Sequence, residues 1–140
     1  EGLARKRAAL ERAAARSAAT VPFEVLCEFG GLEIAGMAGA VIGAASAGRP
    51  VIVDGFISSA AALTAIRLCP AARDYCIFAH RSSERGHSIL LDALDTMPLF
   101  DLALRLGEGT GAVLAVPLVR AAARLLSDVA TLDDVLSGKI

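Results

Sequence analysis

Along residues 2–18, Leu3, Ala4, Ala8, Leu10, Ala13 and Ala14 recur among Arg5, Lys6, Arg7, Glu11, Arg12 and Arg16. That spacing predicts an amphipathic helix, ended by Thr20-Val21-Pro22. Residues 23–29 are short and mixed, open between helix and strand, and Gly30-Gly31 breaks them. Residues 32–47 are nearly uncharged and rich in Gly and Ala. The uncharged part, 34–47, is too short to span a membrane, and a core helix lying close against a sheet accounts for the small residues. Gly48-Arg49-Pro50 stops it. Val51-Ile52-Val53 then reads as a buried parallel strand, ending in Asp54-Gly55-Phe56. Ser58-Ser59 can cap a helix over 60–68, and Pro70 follows its end. Residues 75–79 predict the next strand, which runs into a dense polar loop, 80–87, and a short helix over 88–94. Residues 99–106 mix Asp101 and Arg105 into an apolar stretch. The Ala/Leu/Val run 113–126 predicts a buried helix, opened by the turn Gly107-Glu108-Gly109-Thr110-Gly111. Thr131, followed by Asp133 and Asp134, marks the start of a short terminal helix and tail within 128–140. Strands alternate with helices, so the fold class is α/β with a parallel sheet.

Composition narrows the core and the partners. The 140 residues suit one domain, and 55% are hydrophobic but only 4% aromatic, with no Trp. The core is therefore built from Ala, Leu, Val and Ile. A net charge of −1 leaves no electrostatic footprint for nucleic acid and no polybasic membrane patch. Cys27, Cys69 and Cys76 form no CxxC pair, which speaks for small buried hydrophobes in a reducing, cytoplasmic compartment. The chain opens on Glu1 with no apolar signal segment behind Arg5-Lys6-Arg7, and reads as a fragment or a processed chain.

Ligands of open parallel sheets sit beyond the carboxyl ends of the strands. Asp54-Gly55-Phe56, the loop 80–87 and the turn 107–111 all fall there. Several chemistries are absent. Gly107-x-Gly109-x-Gly111 lacks the final spacing of a dinucleotide fingerprint, no Gly-Lys-Ser/Thr marks a P-loop, and no Gly-x-Ser-x-Gly marks a nucleophile elbow. His80 and His87 have no cysteine or clustered acids at ligand spacing, which argues against zinc. His80, beside Arg81 and Ser82, either meets a phosphate or carboxylate or holds backbone groups. Glu33 is either an N-terminal helix acid or a site acid. The basic cluster around Lys6 is a solvated face, or one lysine of it reaches an anion. What stands out is Glu108 between two glycines at a helix N-terminus. It is either a helix acid in a tight turn or a partly desolvated general base, since burial raises a carboxyl pKa toward neutrality.

Four strings carry a family resemblance. They are Gly30-Gly31-Leu32-Glu33-Ile34-Ala35, Pro50-Val51-Ile52-Val53-Asp54-Gly55-Phe56-Ile57, Ala79-His80-Arg81-Ser82 with Gly86-His87, and Leu104-Arg105-Leu106-Gly107-Glu108-Gly109-Thr110-Gly111. Ala130-Thr131 fits as well. In this order and spacing the chain resembles the C-terminal part of the nicotinate-nucleotide–dimethylbenzimidazole phosphoribosyltransferase family, over essentially its whole length.

The resemblance implies phosphoribosyl transfer from nicotinate mononucleotide to 5,6-dimethylbenzimidazole. The products are α-ribazole 5′-phosphate and nicotinate, and the setting is synthesis of the cobalamin lower ligand. It implies Glu108 as general base, Leu106, Gly107 and Ser82 at the nucleotide substrate, and Lys6 on its phosphate side. Arg81 and Asp54, in the matching loops, are further substrate-binding candidates. It implies no metal and no cofactor, a Rossmann-like parallel sheet flanked by helices, present here in part, and a homodimer. Residues 1–127 would be the α/β part and 128–140 the terminal helix and tail. A full-length member is more than twice as long, and its upstream half supplies much of the benzimidazole pocket, a second functional acid and glycine-rich phosphate loops. The competing reading is a truncated, non-catalytic binding or dimerisation module.

Overall fold

The computed structural model describes residues 2–138; Glu1 and the last two residues of the expected tail, 139–140, lie outside the described residues. Helix α1 (Gly2–Arg16) precedes α2 (Pro22–Phe29) and α3 (Leu32–Ser46). Strand β1 (Val51–Val53), helix α4 (Phe56–Leu68), a 3₁₀ turn (Pro70–Tyr75) and strand β2 (Cys76–Phe78) follow. Then come α5 (Arg85–Ala93), α6 (Thr110–Asp128) and α7 (Leu132–Leu136). The mixed segment after Pro22 resolves as a helix because the proline suits a first helical position, where its missing N–H costs nothing.

The sheet is a β1–α4–β2 crossover with parallel strands. Val51 pairs with Cys76, Ile52 with Ile77 and Val53 with Phe78. A third edge runs alongside β2, where Phe100 forms a parallel bridge with His80. Leu99 N–H donates to the Phe78 carbonyl, Phe100 N–H to that of Ala79, and Arg81 N–H to that of Phe100, each at 2.9 Å. The sequence pattern around 99–106 does not announce this edge, since only its first two residues join the sheet.

Two apolar clusters meet around α4. Val53, Ala62, Phe78, Leu90, Leu91 and Leu94 join the sheet to α4 and α5. Ala38, Val41, Ala65 and Ala72 join α3 to the other flank of α4 and to the 3₁₀ turn. Alanines at the centre let α3 and α4 approach closely, as the near absence of aromatics requires.

Four expectations change. Helix α3 does pack by the sheet, with Val51 and Cys76 against its Ala38 and Val41 cluster, but its glycines are not what allows it: a Cβ on Gly36, Gly39 or Gly43 would meet nothing within 4 Å. Helix α6 is not buried by this chain; only Gly111 and Ala115 are covered, and Val113 and Leu126 are 70% and 91% exposed. Ser58-Ser59 does not cap α4, which starts earlier with Gly55 as N-cap at φ 83°. The Ser58 hydroxyl donates back to the Asp54 carbonyl instead. The polar loop after β2 is shorter than its composition suggests, since Arg85, Gly86 and His87 already belong to α5. At the far end, Thr131 and Asp134 form a reciprocal capping box that opens α7. Among the described residues no helix is long and apolar enough to cross a membrane.

Candidate functional site

The three polar loops converge. A cleft of about 330 Å³ opens beyond the carboxyl ends of the strands. Asp54 and Gly55 line it from the end of β1, His80 and Ser82 to Glu84 from the end of β2, and Leu104, Arg105 and Gly107 to Gly111 from the turn before α6. Crossover topology puts these loops on one rim.

The turn before α6 is shaped by consecutive left-handed residues. Gly107, Glu108 and Gly109 have φ of 76°, 54° and 77°. Glycine adopts this region freely, whereas Glu108 does so at a cost. Gly109 is the N-cap of α6. Thr110 closes the turn, its N–H and its hydroxyl both donating to the Gly107 carbonyl at 3.0 and 2.6 Å. Glu108 therefore stands on the rim of the cleft, and it is exposed. The desolvation that a buried general base requires does not come from the described residues.

Asp54 approaches the first turn of α6. A Cβ on Gly111 would overlap Asp54 Oδ1 and lie 2.6 Å from the His80 Cβ. The positive end of the helix thus already faces a carboxylate of the protein itself. An anion entering the cleft meets Asp54 as well as the helix end. Asp54, Glu84 and Glu108 face Arg105 among the described lining residues, so the net charge of this wall is negative.

Both histidines hold backbone. His80 Nε2 accepts the N–H of Leu104 at 3.3 Å, tying the third loop to β2. His87 Nδ1 accepts the N–H of Ser82 at 2.9 Å. Of the two readings left open for His80, the backbone one describes its observed contact. Among the described residues no group of three or more His, Cys, Asp or Glu is placed to hold a metal ion.

Asp54, His80, Ser82, Gly107 and Glu108 are brought together around the cleft; Leu106, Arg81, Lys6 and Glu33 are not among its lining residues. Leu106 belongs to the same turn, but it is 75% exposed and does not line the cleft. Arg81 turns away because Asp101 and Ser88 engage its guanidinium, both at 3.3 Å. Lys6 lies exposed on α1, outside the cleft. Glu33 follows Gly31, the N-cap of α3, as an acid of the first turn. Ser83, Glu84, Leu104, Arg105 and Thr110 also line the cleft. Of these, Leu104, Arg105 and Thr110 lie inside the Gly-Glu-Gly string and could have been read with it. Ser83 and Glu84 carry no signal beyond lying between Ser82 and His87.

The sequence profile of a family described as phosphoribosyltransferase matches residues 1–135. The chain belongs to the nicotinate-nucleotide–dimethylbenzimidazole phosphoribosyltransferase family. It is 55% identical over 132 residues to the enzyme of that name from Azotobacter vinelandii, covering 93% of this chain and 38% of the relative. With the Roseiflexus sp. enzyme it shares 51% over 142 aligned positions, covering 99% of this chain and 40% of the relative. The crystal structure of the family member from Thermus thermophilus superposes with a TM-score of 0.86 at 49% identity, over 96% of this chain and 41% of that one. The chain thus spans about two fifths of the length of the family members it matches. The α/β fold with a small parallel sheet is the corresponding part of the family fold.

Proposed function

We propose that this chain carries the general base and one substrate wall of an enzyme that moves a phosphoribosyl group from nicotinate mononucleotide to 5,6-dimethylbenzimidazole. The observation that supports it most is the placing of Glu108, in its left-handed glycine turn, on one rim with Asp54 and Ser82. One benzimidazole nitrogen attacks the anomeric carbon of the ribose. The bond from that carbon to nicotinate breaks, and its electron pair leaves with the nicotinate nitrogen. Glu108 takes the proton from the second benzimidazole nitrogen, so that the azole ends neutral. Attack opposite the leaving group inverts the anomeric centre and yields α-ribazole 5′-phosphate.

The remaining residues divide by chemistry. Ser82 and Gly107 receive the nucleotide in the cleft, and Leu106, outside it, is assigned to the nucleotide on the family string around it. Asp54, an acceptor when ionised, suits a ribose hydroxyl better than a phosphate. Lys6 is assigned to the phosphate from outside the cleft, on the family string around it. Arg81 acts behind the wall, through Asp101 and Ser88. The reading includes a cytoplasmic homodimer, with residues 1–127 as the α/β part and 128–140 as the terminal helix and tail.

Glu108→Gln, made in a polypeptide that releases nicotinate from nicotinate mononucleotide in the presence of dimethylbenzimidazole, lowers turnover by roughly 10²–10⁴-fold. Turnover close to that of the unaltered protein would remove Glu108 from the mechanism.

A further inference from the structure

His87 lies in the first turn of α5, only 1% exposed, behind the cleft wall and not in it. Both ring nitrogens are engaged. The Ser82 N–H donates to Nδ1 at 2.9 Å, and Nε2 lies 3.0 Å from the hydroxyl of Ser59 on α4. An amide N–H can only donate, so Nδ1 carries no proton. The proton of the neutral ring is on Nε2, where it donates to Ser59 Oγ. Ser59 is itself 1% exposed. The Phe56 ring lies tilted beside the imidazole, centroids 6.3 Å apart. Gly86 admits that ring, since a Cβ there would lie 2.6 Å from Phe56 Cζ.

The ring thereby ties together two of the three loops of the site. Ser59 and Phe56 belong to the helix that leaves Asp54-Gly55, and Ser82 belongs to the loop after β2. That loop is closed on itself as well: Glu84 N–H reaches Ser82 Oγ at 3.3 Å, and His87 N–H reaches the Glu84 carbonyl at 2.9 Å. Ser82 Oγ accepts one bond there and keeps its own O–H as a donor for a ligand. The charged and titratable groups acting on the imidazole are Arg81 and His80 from the end of β2 and Asp54 from the end of β1. Burial foremost, then Arg81 and His80, lowers its pKa from the ordinary 6.5, with Asp54 opposing. A protonated ring would set an Nδ1–H against the Ser82 N–H, donor against donor.

We propose that His87 is a positioning residue, whose bare Nδ1 holds the Ser82 amide and thereby sets the cleft wall that receives the nucleotide. The identity of that nucleotide rests on the transferase reading; the hold on Ser82 does not.

Two substitutions separate the two ends of the ring. In His87→Asn the amide oxygen can take the place of Nδ1, while His87→Gln reaches the Nε2 end and leaves the Ser82 N–H without its acceptor. Amide hydrogen exchange at Ser82 is expected to stay slow in His87→Asn and to speed up roughly tenfold in His87→Gln. The KM for nicotinate mononucleotide is expected to stay within about threefold in the first and to rise roughly tenfold in the second, with kcat moving less. Equal behaviour of the two variants in exchange and in KM overturns the proposal. So does a His87→Gln protein indistinguishable from the unaltered one. If the unaltered protein releases no nicotinate, the transferase reading fails by itself, and Ser82 exchange alone decides the role of His87. The ring ¹⁵N spectrum of the unaltered protein needs no variant to fold: a proton on Nε2 and none on Nδ1 at neutral pH is expected, and a proton on Nδ1 overturns the proposal.

Discussion

Gly111 has no side chain because Asp54 and His80 occupy the space one would take. The obstacle on the Asp54 side is a carboxylate, and on the His80 side a Cβ next to backbone, which cannot rotate clear. Gly111→Ala is expected to cost about 1–3 kcal/mol, the usual range for overpacking a closed site, read as a shift of the urea midpoint. His87 makes a second prediction at this scale. Its pKa is lowered in the folded chain, chiefly by burial. Below the ordinary 6.5 the unfolded chain takes up a proton that the folded chain still refuses. Stability is therefore whole above that pH and declines as the pH falls from it toward the lower folded value. Unfolding measured across this window in the unaltered protein and in His87→Asn should show a steeper acid decline in the former. Parallel curves would mean that another group titrates.

Helices α3 and α7 offer tests of opposite sign. Gly39 sits in the interior of α3 with nothing within 4 Å of a Cβ. A helix-interior glycine costs about 0.5–1 kcal/mol relative to alanine, so Gly39→Ala should stabilise this chain by about that amount, seen as a higher unfolding midpoint. A lower midpoint would mean that something covers that face in solution. At α7, Thr131 accepts the Asp134 N–H at 3.2 Å, and Asp134 returns a bond to the Thr131 N–H at 3.2 Å. Thr131→Ala removes the cap and should cost about 1 kcal/mol, confined to the helix and visible as faster amide exchange at Asp134.

These elements also mark how far the sequence could be read. The existence of β1 follows from the β-branched run Val51-Ile52-Val53, that of α4 from the apolar stretch that ends before Pro70, and that of β2 from the apolar run leading into the polar loop; their alternation is enough to put three loops on one rim. Glu108 stands out because a charge between glycines has no ordinary place on a helix face. The surroundings of α3 and α6 could not be read: hydropathy records that a face is apolar, not which chain covers it. Gly111 reads as one more turn glycine, since its constraint comes from a residue 57 positions earlier, the separation of Asp54 and Gly111. Histidine is the same letter as ligand, acid or brace, and only the partners of His80 and His87 separate these roles.

Among the described residues, apolar cover is unevenly distributed. The two core clusters hold α3, α4, α5 and the sheet, while no residue of α1 is buried. Leu10 on α1, Leu32 on α3 and Leu125 and Leu126 on α6 are each well over half exposed. Apolar faces of this extent are the mark of surfaces that meet other protein. The cleft straddles the division: its β-strand walls are anchored in the core, and its third wall rides on α6, which is held at its first turns. The contact of Asp54 and His80 with Gly111 joins the two, together with the bond from the Leu104 N–H to His80 Nε2. For anyone wishing to give this cleft a different guest, that joint is the wrong place to begin. Asp54 and Gly111 share a gap less than one methyl group wide, so a side chain added at Gly111 or a larger one at Asp54 overpacks the joint and lowers stability. The opposite lip, at Ser83, Glu84 and Arg105, is exposed and can change in size and charge without disturbing the frame.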